Sequence, residues 1–108
     1  MVPTTVVAQV GTVARFNCTS TNEEPVDWRT IPYGSVAENH ISIGEHLMVN
    51  DYGTSGRFSV KNDSTRTRYD LVINDTKQSD AGVYICIAER GSGNKSSAEL
   101  VVWGKFCY

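Results

Sequence analysis

Apolar and polar positions along this chain alternate in short runs and almost nowhere recur at helical spacing. Period-two alternation, broken by clusters of Gly, Pro, Asn and Asp, predicts an all-β sandwich or barrel. Residues 12–20 place Ala14, Phe16 and Cys18 on one side and Val13, Arg15, Asn17 and Thr19 on the other. Residues 21–25 read as a loop, and Val26 and Trp28 then share a face. Ile31-Pro32-Tyr33-Gly34 reads as a turn, because proline removes a ladder donor. Ile41–Ile43 and Leu47–Val49 read as short strands, the second running into a turn at 50–53. Phe58 and Val60 point inward before a turn at 61–64, and Tyr69, Leu71 and Ile73 point inward against Asp70 and Val72 outward. In the strand Val83–Ala88, Tyr84, Cys86 and Ala88 share a face; Gly91 and Gly93 then loosen a hairpin over 89–96. Ala98, Leu100 and Val102 finally alternate with Glu99, Val101 and Trp103. Eight or nine strands in two facing sheets are expected.

Cys18, Trp28 ten residues on, and the run Asp80-Ala81-Gly82-Val83-Tyr84-Ile85-Cys86 make the chain resemble a variable-type immunoglobulin domain over about residues 4–103. The resemblance implies a two-sheet Greek-key β-sandwich with one inter-sheet disulfide, Cys18 to Cys86, and Trp28 packed on it. A bridge closing so long a loop is worth about 4 kcal/mol in the chain-entropy model. The resemblance also makes Tyr84 a tyrosine corner, whose hydroxyl bonds back to nearby backbone. Gly82 falls at a tight corner where a Cβ is costly, and Arg57 and Asp80 match an ion pair that ties a strand start to a distant corner. The room between residues 40 and 55 favours the variable type, or the closely related intermediate set, over the shorter constant type.

The chain departs from antigen-receptor variable domains in its last strand, Ser96–Trp103, which lacks their aromatic-Gly-x-Gly bulge. The first hypervariable-like loop and the 89–96 hairpin are also short. The ending looks more like that of adhesion and innate receptors. In variable-type families the front sheet pairs with a second domain. Here that sheet is expected to turn Ile31, Val83, Ile85, Ile87, Val101 and Trp103 outward, with Ile41 and Ile43 on neighbouring strands. A contiguous apolar patch of this width marks an interface on a soluble monomer. Ile31, Ile85, Ile87, Val101 and Glu89 are the expected contacts, with Asp27, Arg29 and Glu89 as a polar rim. The implied partner is a protein, another immunoglobulin-type domain or a second copy of this chain, in a homodimer or heterodimer. The alternative is an immune recognition domain that binds a foreign protein or glycan through loop tips at 21–25, 50–55 and 89–96.

Other features narrow the function. A chain of 108 residues is one domain on a prior of roughly 100–200 residues per domain; a single domain over 1–108 is expected, with 104–108 as a tail. A net charge of -2 carries no basic excess for nucleic acid. No apolar run approaches the roughly 18 residues of a membrane helix, and no secretory leader opens the chain. Any leader or membrane anchor is therefore expected outside this segment, with the domain itself extracellular. Sequons begin at Asn17, Asn62, Asn74 and Asn94, fitting a glycoprotein. Asn17, beside Cys18, is expected to be crowded. Cys107 is either a crosslinking cysteine or a free thiol. His40 and His46, six apart, lack the i, i+4 helical pairing of a zinc protease and read, with Asp51, as surface side chains rather than metal ligands; no serine or cysteine sits in a nucleophile turn. Neither catalysis nor a metal or other cofactor is expected.

Overall fold

The computed structural model describes residues 4–19, 26–44, 46–62, 68–87 and 95–104. Among these lie nine strands: β1 (Thr4–Gln9), β2 (Ala14–Phe16), β3 (Asp27–Pro32), β4 (Asn39–Ile43), β5 (His46–Leu47), β6 (Phe58–Asn62), β7 (Tyr69–Ile73), β8 (Gly82–Ile87) and β9 (Lys95–Trp103). A single helical turn, α1 (Asp51–Thr54), precedes β6, and a 3-10 turn (Gln78–Asp80) precedes β8. Six strands form one sheet in the order β1-β9-β8-β3-β4-β5, and three form the other in the order β2-β7-β6. The β1–β9 pair is parallel and the other pairs are antiparallel.

The inward sets of the two sheets meet in one core. Phe16, Trp28, Leu71, Ile73, Tyr84, Cys86 and Leu100 are all at most 2% exposed. Cys18, just past β2, is bridged to Cys86 in β8, with Cα atoms 6.4 Å apart. Phe16 stacks on Tyr84 at 4.7 Å between ring centres and tilts against Trp28 at 6.2 Å. The Trp28 indole N–H donates to the Tyr69 carbonyl of the opposite sheet at 2.9 Å, so its polar atom is satisfied inside the core.

At one end of the sandwich the Tyr84 hydroxyl donates to the Asp80 carbonyl, and burial pushes the phenol well above its ordinary range. The Asp80 carboxylate accepts from Arg57 Nη1 at 2.7 Å, from Arg57 Nη2 at 3.0 Å and from the Lys77 N–H at 2.8 Å. Its partner's guanidinium also lies 5.2 Å over the Phe58 ring. The chain then enters β8 at Gly82. A Cβ there would fall 2.5 Å from the Ile31 carbonyl oxygen and 2.8 Å from Pro32 Cα, so β3 leaves no room for one.

Several expectations need correcting. Ile31 and Pro32 extend β3, pairing with Val83 and Gly82, and the turn starts at Tyr33 and Gly34. Tyr33, not Pro32, donates to the neighbouring strand (Ala81 carbonyl, 3.2 Å), and β4 has already ended opposite Thr30. The missing proline donor therefore costs no ladder bond. Ile41 is fully buried and does not belong to the outward face. A bulge causes this: Trp28 pairs with Ser42 and Arg29 with His40, so Ile41 is an extra residue that turns inward beside Ser42. The run 47–49 is not a strand beyond Leu47, and Val49 is exposed. Asn50 instead caps α1, its Oδ1 accepting from the N–H groups of Tyr52 and Gly53. Asp70 and Val72, on the outward phase of β7, are buried too. Arg15 and Arg68 each reach the Asp70 carboxylate at 2.9 Å and close over it.

Three outcomes are expected in urea melts. Trp28→Ala lowers stability by about 3–5 kcal/mol, and breaking the Cys18–Cys86 bridge lowers it by about 2–5 kcal/mol. Gly82→Ala, a single added methyl, costs about 1–3 kcal/mol through forced separation of β3 and β8. A Gly82→Ala melt that overlays the parent would refute the close approach of these strands.

Candidate interaction face

The strand registers place the outward side chains of the six-stranded sheet in rows. The innermost row runs His46–Ile43–Asp27–Ile87–Lys95, the next His40–Arg29–Ile85–Ser97, and the third Ile31–Val83–Glu99–Thr5. Beyond them Val101 pairs with Val7, and Trp103 with Gln9. Ile31, Val83, Ile85, Ile87 and Ile43 are each half-buried among their neighbours. Val7, Val101 and Trp103 stand out further, at 63%, 37% and 48% exposure. The result is an apolar strip along β8 and the end of β3, with a second apolar group, Val7, Val101 and Trp103, at the β1–β9 edge beyond Glu99.

Lys95, Ser97 and Glu99 flank the strip along β9, and on its other side an acid is sunk into β3. Asp27 is 1% exposed although it lies on the outward phase of β3. Arg29 Nη2 lies 3.8 Å and His40 Nε2 3.9 Å from its Oδ2, and Arg29 Nη1 also reaches Glu38 at 3.2 Å. Asp27 is thus no rim residue, as the sequence suggested, but a carboxylate sunk beneath Arg29 in the middle of the face. Just past β3 the neighbouring Glu99 carboxylate raises the Tyr33 phenol above its ordinary value.

Of the five expected contacts, the fold brings Ile31, Ile85 and Ile87 onto adjacent strands, with Val101 one row beyond Glu99. Glu89 lies outside the described residues, as do Asn94 and Cys107. Sequence reasoning missed Val7, Tyr33, Glu38 and His40. Val7 reaches the face only through the parallel β1–β9 pairing, which no local pattern announces. Glu38 and His40 join it through the short return from β3 to β4.

A cleft of about 540 Å³ opens beside this face, between β4, α1 and the Arg57–Asp80 corner. Its polar groups already hold one another: Asn39 Nδ2 donates to the Tyr52 hydroxyl, Asn50 Nδ2 to the His40 carbonyl, and Arg57 to Asp80. Among the described residues no group of three or more His, Cys, Asp or Glu side chains is placed to hold a metal ion.

Lachesin from Schistocerca americana is 29% identical over 97 residues, covering 87% of this chain. The chain spans only 27% of that protein's length. The crystal structure of the ZIG-8 IG1 homodimer superposes with a TM-score of 0.76 at 19% identity, over 94% of this chain and 80% of that one. The complex of Dpr2 Ig1-Ig2 with DIP-Theta Ig1-Ig3 superposes at 0.74 and 17% identity, over 95% and 44% respectively. At these identities the two structures establish a shared fold. The family model of the immunoglobulin V-set domain matches residues 1–102, and with the Cys18–Cys86 bridge joining its two sheets the chain belongs to the immunoglobulin V-set family.

Proposed function

We propose that this chain is a single non-enzymatic V-type recognition domain of an extracellular protein, docking another immunoglobulin-type domain through the outward face of its six-stranded sheet. The observation that carries this reading is the contrast between the two sheets. The front face carries Ile31, Val83, Ile85 and Ile87 in neighbouring rows, extended by Val7, Val101 and Trp103. The outward phase of the three-stranded sheet carries Arg15, Asn17, Ser59, Lys61, Arg68 and Asp70, and its one aliphatic among the described strand residues, Val72, is buried. A strip of branched aliphatics with a polar centre and exposed aromatic edges has the make-up of a protein interface.

The relatives support the same class of partner. ZIG-8 IG1 is a homodimer, and Dpr2 is in complex with DIP-Theta, both pairings between immunoglobulin-type chains. A second copy of this chain is the simplest partner, because a two-fold interface uses one patch twice. Ile31, Ile85, Ile87 and Val101 then supply the buried contacts, while Arg29 and Glu38 set register.

Analytical ultracentrifugation across micromolar concentrations, with and without reductant, tests this reading. A dimer that survives reductant and is weakened roughly 30-fold or more by Ile85→Arg is expected, as for a central interface residue. Ile85→Arg should leave the urea midpoint nearly unchanged, since the side chain is on the outer face. If the parent is monomeric, surface plasmon resonance against a panel of purified immunoglobulin ectodomains should find a partner whose binding Ile85→Arg abolishes. Binding that survives Ile85→Arg but falls with substitutions in 50–55 would overturn the face in favour of the loop tips.

A further inference from the structure

We propose that Asn17 and Asn74 carry N-linked oligosaccharides, and that these sugars clothe the three-stranded sheet so that recognition is confined to the other face. The proposal rests on the extracellular reading above. Each addition joins the asparagine Nδ2, with loss of one proton, to C1 of an oligosaccharide. The C1–O bond to a lipid diphosphate carrier breaks, and the diphosphate leaves.

The fold sorts the sequons. Asn17 is exposed, on the outward phase beyond β2 with Arg15, and so is not crowded by its neighbour Cys18. Its Oδ1 accepts from Arg68 Nη2 at 3.5 Å, while its Nδ2 makes no hydrogen bond among the described residues. The atom that sugar would occupy is therefore the free one, and the acceptor can keep its partner. Asn74 is exposed one residue past β7. Its backbone N–H is held by the Arg57 carbonyl at 2.8 Å, and its side chain makes no hydrogen bond among the described residues. The sequon's Thr76 is fully buried, with its hydroxyl on the Thr12 carbonyl. Transfer at Asn74 must then precede folding, after which Thr76 locks inward and Asn74 stays outside.

Asn62 differs. It continues the inward phase of Phe58 and Val60, opposite buried Tyr69, and is itself half-buried. A sugar there would have to leave from the core side of the strand. Both favoured positions lie one residue past strands of the three-stranded sheet, Asn17 after β2 and Asn74 after β7. On the outward face of the other sheet, among the described residues, no asparagine begins a sequon. Because a branched glycan sweeps the surface around its attachment, the Arg15–Asp70–Arg68 cluster is screened while Ile85 and Ile87 are left bare.

The chain should be secreted from insect cells behind a heterologous leader, and site occupancy read by peptide mass spectrometry after enzymatic deglycosylation in 18O-water. Occupancy at Asn17 and Asn74 is expected. Asn17→Gln and Asn74→Gln should each remove one glycan, and Asn62→Gln should change nothing. Secreted protein unmodified at either Asn17 or Asn74, or with its glycan confined to Asn62, overturns the proposal. A second arm reads the face separately. Ser97→Asn with Glu99→Thr builds a new sequon beside Ile85, and its glycan should weaken the complex at least tenfold. Deglycosylation of the parent should leave the complex within about twofold, and a larger change would overturn the confinement. If Asn17 and Asn74 are occupied yet the new glycan leaves binding intact, the docking face is wrong and the glycan assignment stands.

Discussion

The pairing of Trp28 with Cys86 across β3 and β8 sets the phase of everything on the larger sheet. Both side chains must face inward, one as a large aromatic and the other as half of the bridge to Cys18. Strand geometry then leaves no choice for their neighbours. With Trp28 and Cys86 inside, Asp27, Arg29, Ile85 and Ile87 fall outside, and a one-residue slip would exchange the two sets. The outward face is thus a consequence of core packing, held by the same contacts that hold the sandwich together. The aliphatic character of that face is a separate matter, since the core's demands would be met equally well by polar residues at 85 and 87.

A second anchor keeps β8 from slipping along its length. Tyr84 fills the core beside Phe16 and carries its hydroxyl to the Asp80 carbonyl, while the Asp80 carboxylate is clamped by Arg57 from the start of β6. Strand, turn and opposite sheet are tied at one corner, where burial makes a broken pair costly. Gly82 lets β8 begin against the β3 backbone immediately after this corner. Val83, Ile85 and Ile87 therefore lie on a strand held by the Asp80–Tyr84 corner at its start and by the disulfide near its end.

The parts of this arrangement that were legible in the sequence are those governed by local period and by a few large residues. Alternation placed Phe16, Leu71, Ile73, Tyr84 and Leu100 inward, and it placed Ile85, Ile87 and Val101 outward. What escaped it depends on contacts between distant strands. The extra residue in β4 turns Ile41 into the core, yet Asn39–Ile43 shows nothing in its composition to mark a bulge. Asp70 sits on an outward phase and is still buried, because Arg15 and Arg68 arrive from either side of it. Pro32 looked like a strand breaker, but its strand has already lost its neighbour on one side. Val7 joins the face only because β1 lies parallel to β9, a pairing fixed by tertiary packing alone.

At Asp27 a charge is buried in the middle of the outward face. A carboxylate 1% exposed is costly to desolvate, and its charge is balanced by the Arg29 guanidinium at 3.8 Å, with His40 Nε2 at 3.9 Å beside it. Arg29 is shared with Glu38, so its guanidinium is stretched between a sunken acid and a peripheral one. An aliphatic side chain at 27 would bury as well and avoid that cost, but the strip would then be uniformly apolar from Ile43 to Ile87. Such a strip accepts many partners in many registers. A fixed charge in its middle accepts only a surface that completes the electrostatics at that point, and mismatched charge there costs several kcal/mol. On this reading the aliphatic rows supply the attraction and the Asp27–Arg29–Glu38 group supplies the discrimination. The two functions meet on neighbouring strands: Ile85 and Ile87 on β8 lie directly against Arg29 and Asp27 on β3.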